Sequence, residues 1–146
     1  MSWRTLEQED MELAEFGRAR LAGRPAYLAT VRQDGSPRVH PVTPIVGDGH
    51  LFIFMEPTSP KGHDLQRDGR YALHSSVEDT GGGGGEFLIT GRGLLIEDEK
   101  LRAAAIQYAA YTPKDRYILF ELTIETAFST TYAQDGTPIR KRWKQQ

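Results

Sequence analysis

The chain has 146 residues, 38% of them hydrophobic, with 18 Lys and Arg against 20 Asp and Glu and no cysteine. That length suits one domain with one core, and a formal net charge of −2 offers no global field to draw nucleic acid or anionic lipid. The missing thiols exclude disulfides, thiol nucleophiles and thiolate metal sites and fit a reducing cytoplasm; no run approaches the ~20 apolar residues of a membrane span, and the acidic, amphipathic start does not read as a signal peptide.

Leu6, Met11, Leu13, Ala14, Phe16, Ala19 and Leu21 include pairs three and four residues apart, which predicts a helix over 6–22 that ends at Gly23-Arg24-Pro25. Ala26 to Val31 is rich in strand formers, and Asp34-Gly35 turns it into a second strand over 37–46, interrupted by Pro37, Pro41 and Pro44. Prolines donate nothing to a ladder, so that strand is expected to be an edge, bulged, or facing a ligand. After Gly47-Asp48-Gly49 comes a third strand over 50–56. Ser59 and Pro60 suit the N-cap and first position of a short helix over 60–68, which Gly69 stops. A fourth strand covers 70–77, and the five glycines 81–85 read as a flexible hairpin loop. They are no phosphate cradle, because a strand and not a helix follows them.

The fifth strand runs over 87–96, with Gly91 and Gly93 marking a bend or a close backbone approach. Asp98 caps a helix to about Tyr108; strands over 116–124 and 127–132 follow, Asp135-Gly136 turns the chain, and 139–143 makes a short final strand. Many short strands on tight turns imply antiparallel pairing, and closing into a barrel removes the exposed edges. The expected organisation is one domain over 1–146: an N-terminal helix (1–23), a barrel (24–133) and a tail (134–146).

Four places offer candidate chemistry. At Ser59-Pro60-Lys61, helix N–H groups, a hydroxyl and an ammonium converge, a set suited to one phosphate monoester; the alternative is an ordinary capped helix with a solvated lysine. In the proline-rich strand, Arg38, His40 and Val42 share one face and Val39, Pro41 and Thr43 the other. An anionic ligand explains Arg38 and His40 if that face is buried; otherwise they decorate the surface. Asp64, Glu78 and Asp79 are candidate acids or bases with blander roles in a helix or loop. No histidines or carboxylates sit at metal-ligand spacing, and no nucleophile motif is present, so no catalytic side chain is assigned. A bound redox cofactor needs none. The basic tail Arg140-Lys141-Arg142-Trp143-Lys144 reads as a solvated terminus, as a nucleic-acid patch for which five residues on an acidic chain are thin support, or as Trp143 folding back on an aromatic ligand.

The segments YLATVRQDGSPRVHPV, LFIFMEPTSPKGHDLQRDGRYAL and FLITGRG, across roughly 25–96, resemble the pyridoxamine 5'-phosphate oxidase-like, FMN-binding split-barrel family. The resemblance implies a mainly β protein, a six-stranded antiparallel split barrel with inserted helices. It also implies a homodimer with flavin at its interface and a small-molecule substrate. By position, Arg38 and Lys61 would hold the cofactor phosphate with help from Ser59. Val39, His40, Pro41 and Val42 would line the flavin, Phe54 and Met55 would pack near its ring, Glu86 would stand beside it, and Trp143 would cover the partner's flavin. The family's oxidases carry Arg-Lys where Pro60-Lys61 stands, and Leu-Leu-Lys where this chain has His40-Pro41-Val42-Thr43. Their C-terminal Arg and His substrate segment is not evident here. These departures point away from vitamin B6 oxidation. They leave an FMN-dependent oxidoreductase first, with a deazaflavin-dependent reductase or a non-enzymatic flavin or haem carrier as alternatives.

Overall fold

The computed structural model describes residues 1–146. The N-terminal apolar spacing does make helix, but as two pieces rather than the one expected: α1 (Trp3–Glu9) and α2 (Met11–Leu21). Asp10 makes the break. Its backbone is non-helical, at φ −151°, and its carboxylate accepts from the Leu13 N–H to cap the second helix.

The strands are β1 (Ala26–Val31), β2 (Pro37–Val42), β3 (Ile45–Gly47), β4 (His50–Met55), β5 (Arg70–Ser75), β6 (Glu86–Ile96), β7 (Ile118–Leu122), β8 (Thr126–Tyr132) and β9 (Pro138–Lys144). Between them lie α3 (Pro60–Arg67) and α4 (Glu99–Tyr108). The strand expected over 37–46 is therefore two strands, divided at Thr43-Pro44, where proline has no N–H to give. Gly35, at φ +87°, turns β1 into β2 in the left-handed region that glycine enters freely.

Every pairing is antiparallel. The strand order is β2-β1-β5-β6-β7-β4-β3, with β8 on β6 and β9 on β8. The two ends of that path, β2 and β3, are neighbours in sequence with only Thr43-Pro44 between them. The sheet must therefore curl back on itself into a split, half-closed barrel. The mainly β expectation holds. The path from β2 to β4 supplies six strands, and β3 with the β8–β9 ribbon brings the total to nine.

Leu28, Leu51, Ile53, Leu73, Phe87 and Phe120 fill the interior, with α1 and α2 adding Trp3, Leu6 and Leu13. A smaller cluster of Ile45, Phe52, Phe54 and Leu119 lies under α4 through Ala105. Fully burying side chains of this size contributes about 1.5–3 kcal/mol each. No helix is long and apolar enough to cross a membrane.

Strand β6 turns the corner of the barrel. Its first half pairs with β5 and β8 and its second half with β7. The changeover falls at Gly91-Arg92-Gly93, where a Cβ on Gly91 would overlap the Thr123 carbonyl oxygen. Backbone cannot move aside as a side chain can. Gly91→Ala should therefore cost about 1–3 kcal/mol of stability, read as a lower denaturant midpoint. An unshifted midpoint would mean that the corner opens freely.

Candidate functional site

Ser59 occupies the N-cap position of α3 and Pro60 begins the helix, as the sequence suggests, but the Ser59 hydroxyl makes no cap bond. It accepts instead from Lys61 Nζ at 2.9 Å. That is the one hydrogen bond of the ammonium, and no carboxylate pairs with it. Burial pushes the Lys61 pKa below its ordinary value, with no opposing cause. A half-desolvated cation without a counter-ion is a standing attraction for an anion.

Lys61 faces a cleft of about 300 Å³ lined by Pro41, Val42 and Thr43 at the end of β2, Phe54, Met55 and Glu56 at the end of β4, and Tyr111 and Tyr117 beyond α4. This is where the barrel splits, so two strand ends and a helix start meet around one opening. Glu56 does not neutralise Lys61, because Arg116 Nε donates to both of its carboxylate oxygens, at 2.9 and 3.1 Å. The walls are mixed: Pro41, Val42, Phe54, Met55 and two tyrosine rings supply the apolar part, and Thr43, Glu56 and the uncompensated Lys61 the polar part.

Behind Pro60 lies a polar basin of about 420 Å³ whose lining includes Arg32, Arg38, His63, Asp64 and Arg67. The Asp64 side chain is 3% exposed and accepts from Thr30 Oγ1 at 2.8 Å, Arg38 Nε at 2.7 Å and Arg67 Nη2 at 3.0 Å. Burial alone would raise its pKa. The hydrogen bonds from Arg38, Thr30 and Arg67, with the Arg38 charge, outweigh that and bring the carboxyl below its ordinary value. Arg38, expected at the phosphate, is thus held by Asp64. Two guanidiniums share one carboxylate, so this cluster keeps a net positive charge.

The structure brings Pro41, Val42, Phe54, Met55 and Lys61 together in the cleft lining, with Ser59 buried behind Lys61 and joined to it by the Nζ bond. Arg38 stands next door, in the basin. The other expected residues do not reach the cleft. Val39 is 65% exposed on the outer face of β2, and His40 is exposed, its Nδ1 2.8 Å from the Pro41 carbonyl. Glu86 opens β6 and lines a separate depression with Val77, Asp79 and Tyr132. Trp143 belongs to the main core, and its Nε1 donates to Glu9 at 3.1 Å, so the ring is held by its own chain. Arg142 lies over the Phe128 ring at 5.2 Å, not over a ligand site. Sequence reasoning missed Glu56, Tyr111 and Tyr117. Glu56 follows directly on Met55, but the two tyrosines sit in an irregular segment with no periodicity to announce them.

A family model described as pyridoxamine 5'-phosphate oxidase matches residues 13–131. No curated protein matches the sequence. Among solved structures, a heme-binding protein from Mycobacterium smegmatis is similar at TM-score 0.70 and 20% identity, over 91% of this chain and 58% of that one. This chain thus spans little more than half of that protein's length. PhzG from Burkholderia lata 383, in complex with tetrahydrophenazine-1-carboxylic acid, is similar at TM-score 0.67 and 18% identity, over 97% of this chain and 87% of that one. An F420 reductase is similar at TM-score 0.59 and 16% identity, over 75% of this chain and 94% of that one. At these identities the likenesses concern the fold.

Proposed function

This chain belongs to the pyridoxamine 5'-phosphate oxidase family, and on that premise we propose that it is a cytoplasmic, FMN-binding oxidoreductase passing hydride between the flavin and a small substrate. One observation carries the proposal: the half-buried Lys61 ammonium, tethered to Ser59 and lacking any carboxylate partner, in the lining of a cleft it shares with Pro41, Val42, Phe54 and Met55. The residues fit the group. Lys61, with Ser59 behind it, suits a terminal phosphate, and the Pro41, Val42, Phe54 and Met55 part of the lining suits a ring system. When bound, the flavin supplies the redox chemistry. Lys61 would hold the phosphate, and Pro41, Val42, Phe54 and Met55 would contact the ring.

The cleft is open and, at about 300 Å³, falls at the small end of ligand pockets, which run from roughly 300 to 1,000 Å³. A second copy of the chain would supply the missing wall. In the antiparallel register, Tyr27 and Ala29 lie opposite Pro41 and Val39, which places all four on the outer face of the sheet. Tyr27 is 47% exposed there and Val39 65%. This apolar face runs into the cleft through Pro41, and it suits an isologous dimer. Val39→Asp should therefore shift the protein to monomer in sedimentation and weaken FMN with it. A Val39→Asp protein of unchanged mass would remove this face from the dimer.

A deazaflavin coenzyme is the second reading. The Arg32, Arg38 and Arg67 basin beside Pro60 offers cations to an acidic extension, and one similar fold is that of an F420 reductase. A haem carrier, which draws on the similarity to a heme-binding protein, is less favoured because the cleft is lined by no histidine. Titration with FMN, the deazaflavin coenzyme and haem, followed by visible absorbance, separates the three. FMN is expected to bind tightest, and saturable binding of haem alone would overturn the flavin reading.

A further inference from the structure

The cleft that Lys61 lines also carries two phenols, Tyr111 and Tyr117, that the phosphate and ring contacts above leave unused. Tyr117 is firmly placed. Its carbonyl accepts from Arg102 Nη1 at 2.7 Å, its ring lies 5.7 Å from the Arg116 guanidinium, and Arg116 is itself clamped to Glu56. Arg102 also lies 5.1 Å over the ring of Phe54, so the segment carrying the tyrosines is fastened to the cleft floor. Tyr111 lines the same opening. Neither phenol hydroxyl donates to any group of the protein. Burial and the neighbouring Tyr117 raise the Tyr111 pKa, so its hydroxyl keeps its proton at neutral pH and can donate it.

Two phenols with no protein acceptor, beside the Pro41, Val42, Phe54 and Met55 part of the lining, are a receptor for an oxygen acceptor on a planar molecule. The aromatic faces favour a conjugated or aromatic body, and the donors favour a carbonyl, quinone or carboxylate oxygen. The one unpaired cation of the cleft, Lys61, is left for the cofactor phosphate. We propose that Tyr111 and Tyr117 form the specificity site of the cleft, taking the carbonyl or carboxylate oxygen of a planar, conjugated substrate. This rests on the cofactor reading only for what the substrate meets next. The oxygen-binding site belongs to the chain itself.

The test uses acetophenone and ethylbenzene, which share a phenyl ring and differ in a carbonyl in place of a methylene. Binding to the wild type, Tyr111→Phe and Tyr117→Phe is followed by NMR shifts of the cleft amides, in both the cofactor-free and the FMN-loaded protein. Loading is checked first by the flavin spectrum. Acetophenone should bind the wild type more tightly than ethylbenzene, and each Phe variant should lose two- to tenfold of that preference while binding ethylbenzene as before. Each Phe variant keeps its ring, and an unchanged melting temperature confirms that it folds. If the variants discriminate the two probes as the wild type does, or if the wild type does not discriminate, the proposal is overturned. If the protein takes up no FMN, the cofactor reading fails by itself, and the cofactor-free arm still decides the oxygen site.

Discussion

Lys61→Ala should weaken FMN roughly ten- to a hundredfold, about 1.5–3 kcal/mol, and leave riboflavin binding unchanged. The Lys61 ammonium is desolvated by its own position, and its one hydrogen bond is to a neutral hydroxyl. A phosphate there replaces lost hydration with a charge-assisted contact. Riboflavin has no phosphate, so the comparison isolates this interaction from ring packing on Phe54 and Met55. The pH dependence follows from the same geometry. With its pKa below that of free lysine, Lys61 loses its proton at a lower alkaline pH, and FMN affinity should fall as pH rises through that value. A bound phosphate opposes the loss by raising the pKa again. In Lys61→Ala this alkaline decline should be absent. Equal loss of FMN and riboflavin would instead mean that the substitution had disturbed the cleft walls.

The largest effect on stability is expected at Asp64. Its carboxylate is almost wholly buried and receives Thr30, Arg38 and Arg67, tying β1, β2 and α3 together. Asp64→Asn removes the charge that both guanidiniums share and turns an N–H₂ group toward at least one of them. Breaking a buried pair costs about 3–5 kcal/mol, and because both arginines keep some contact with water the cost here should be about 2–3 kcal/mol. The acid sensitivity has a definite sign. The carboxyl pKa is lower in the folded chain than in the unfolded one, so its stabilisation is present above the unfolded value and is lost as pH falls through the folded value. Urea titrations from neutral to strongly acidic pH should show a steeper acid decline in the wild type than in Asp64→Asn. An Asn variant as stable as the wild type would reduce the cluster to surface charge.

The strands were legible because their signals are local. Alternating apolar residues bounded by Asp34-Gly35 or Gly47-Asp48-Gly49 specify a strand and its turn within a dozen residues. The two errors of continuity have local causes too. Asp10 is a capping residue inside an apolar helical pattern, and Pro44 is a missing donor inside a strand pattern, so each divides what periodicity would join. Lys61 was legible for the same reason, since its partner Ser59 is two residues away. Arg38 and Asp64 are 26 residues apart, and nothing in either segment announces that they meet. Without that contact, Arg38 reads as a phosphate ligand. The final strand carrying Trp143 was legible, but its bond to Glu9, 134 residues away, was not, so Trp143 read as a residue free to cover a flavin. The tyrosines of the cleft mouth were invisible for a related reason. Their positions come from Arg102 and Arg116 gripping an irregular segment, not from any repeat in the sequence.

The most direct test of the central claim, a flavin phosphate seated on Lys61, is the ratio of the wild type's affinities for FMN and riboflavin, measured by equilibrium titration at neutral pH. FMN should bind at least about tenfold more tightly, the worth of one charge-assisted contact of about 1.4 kcal/mol. Equal affinity for the two, or binding of neither, would contradict it.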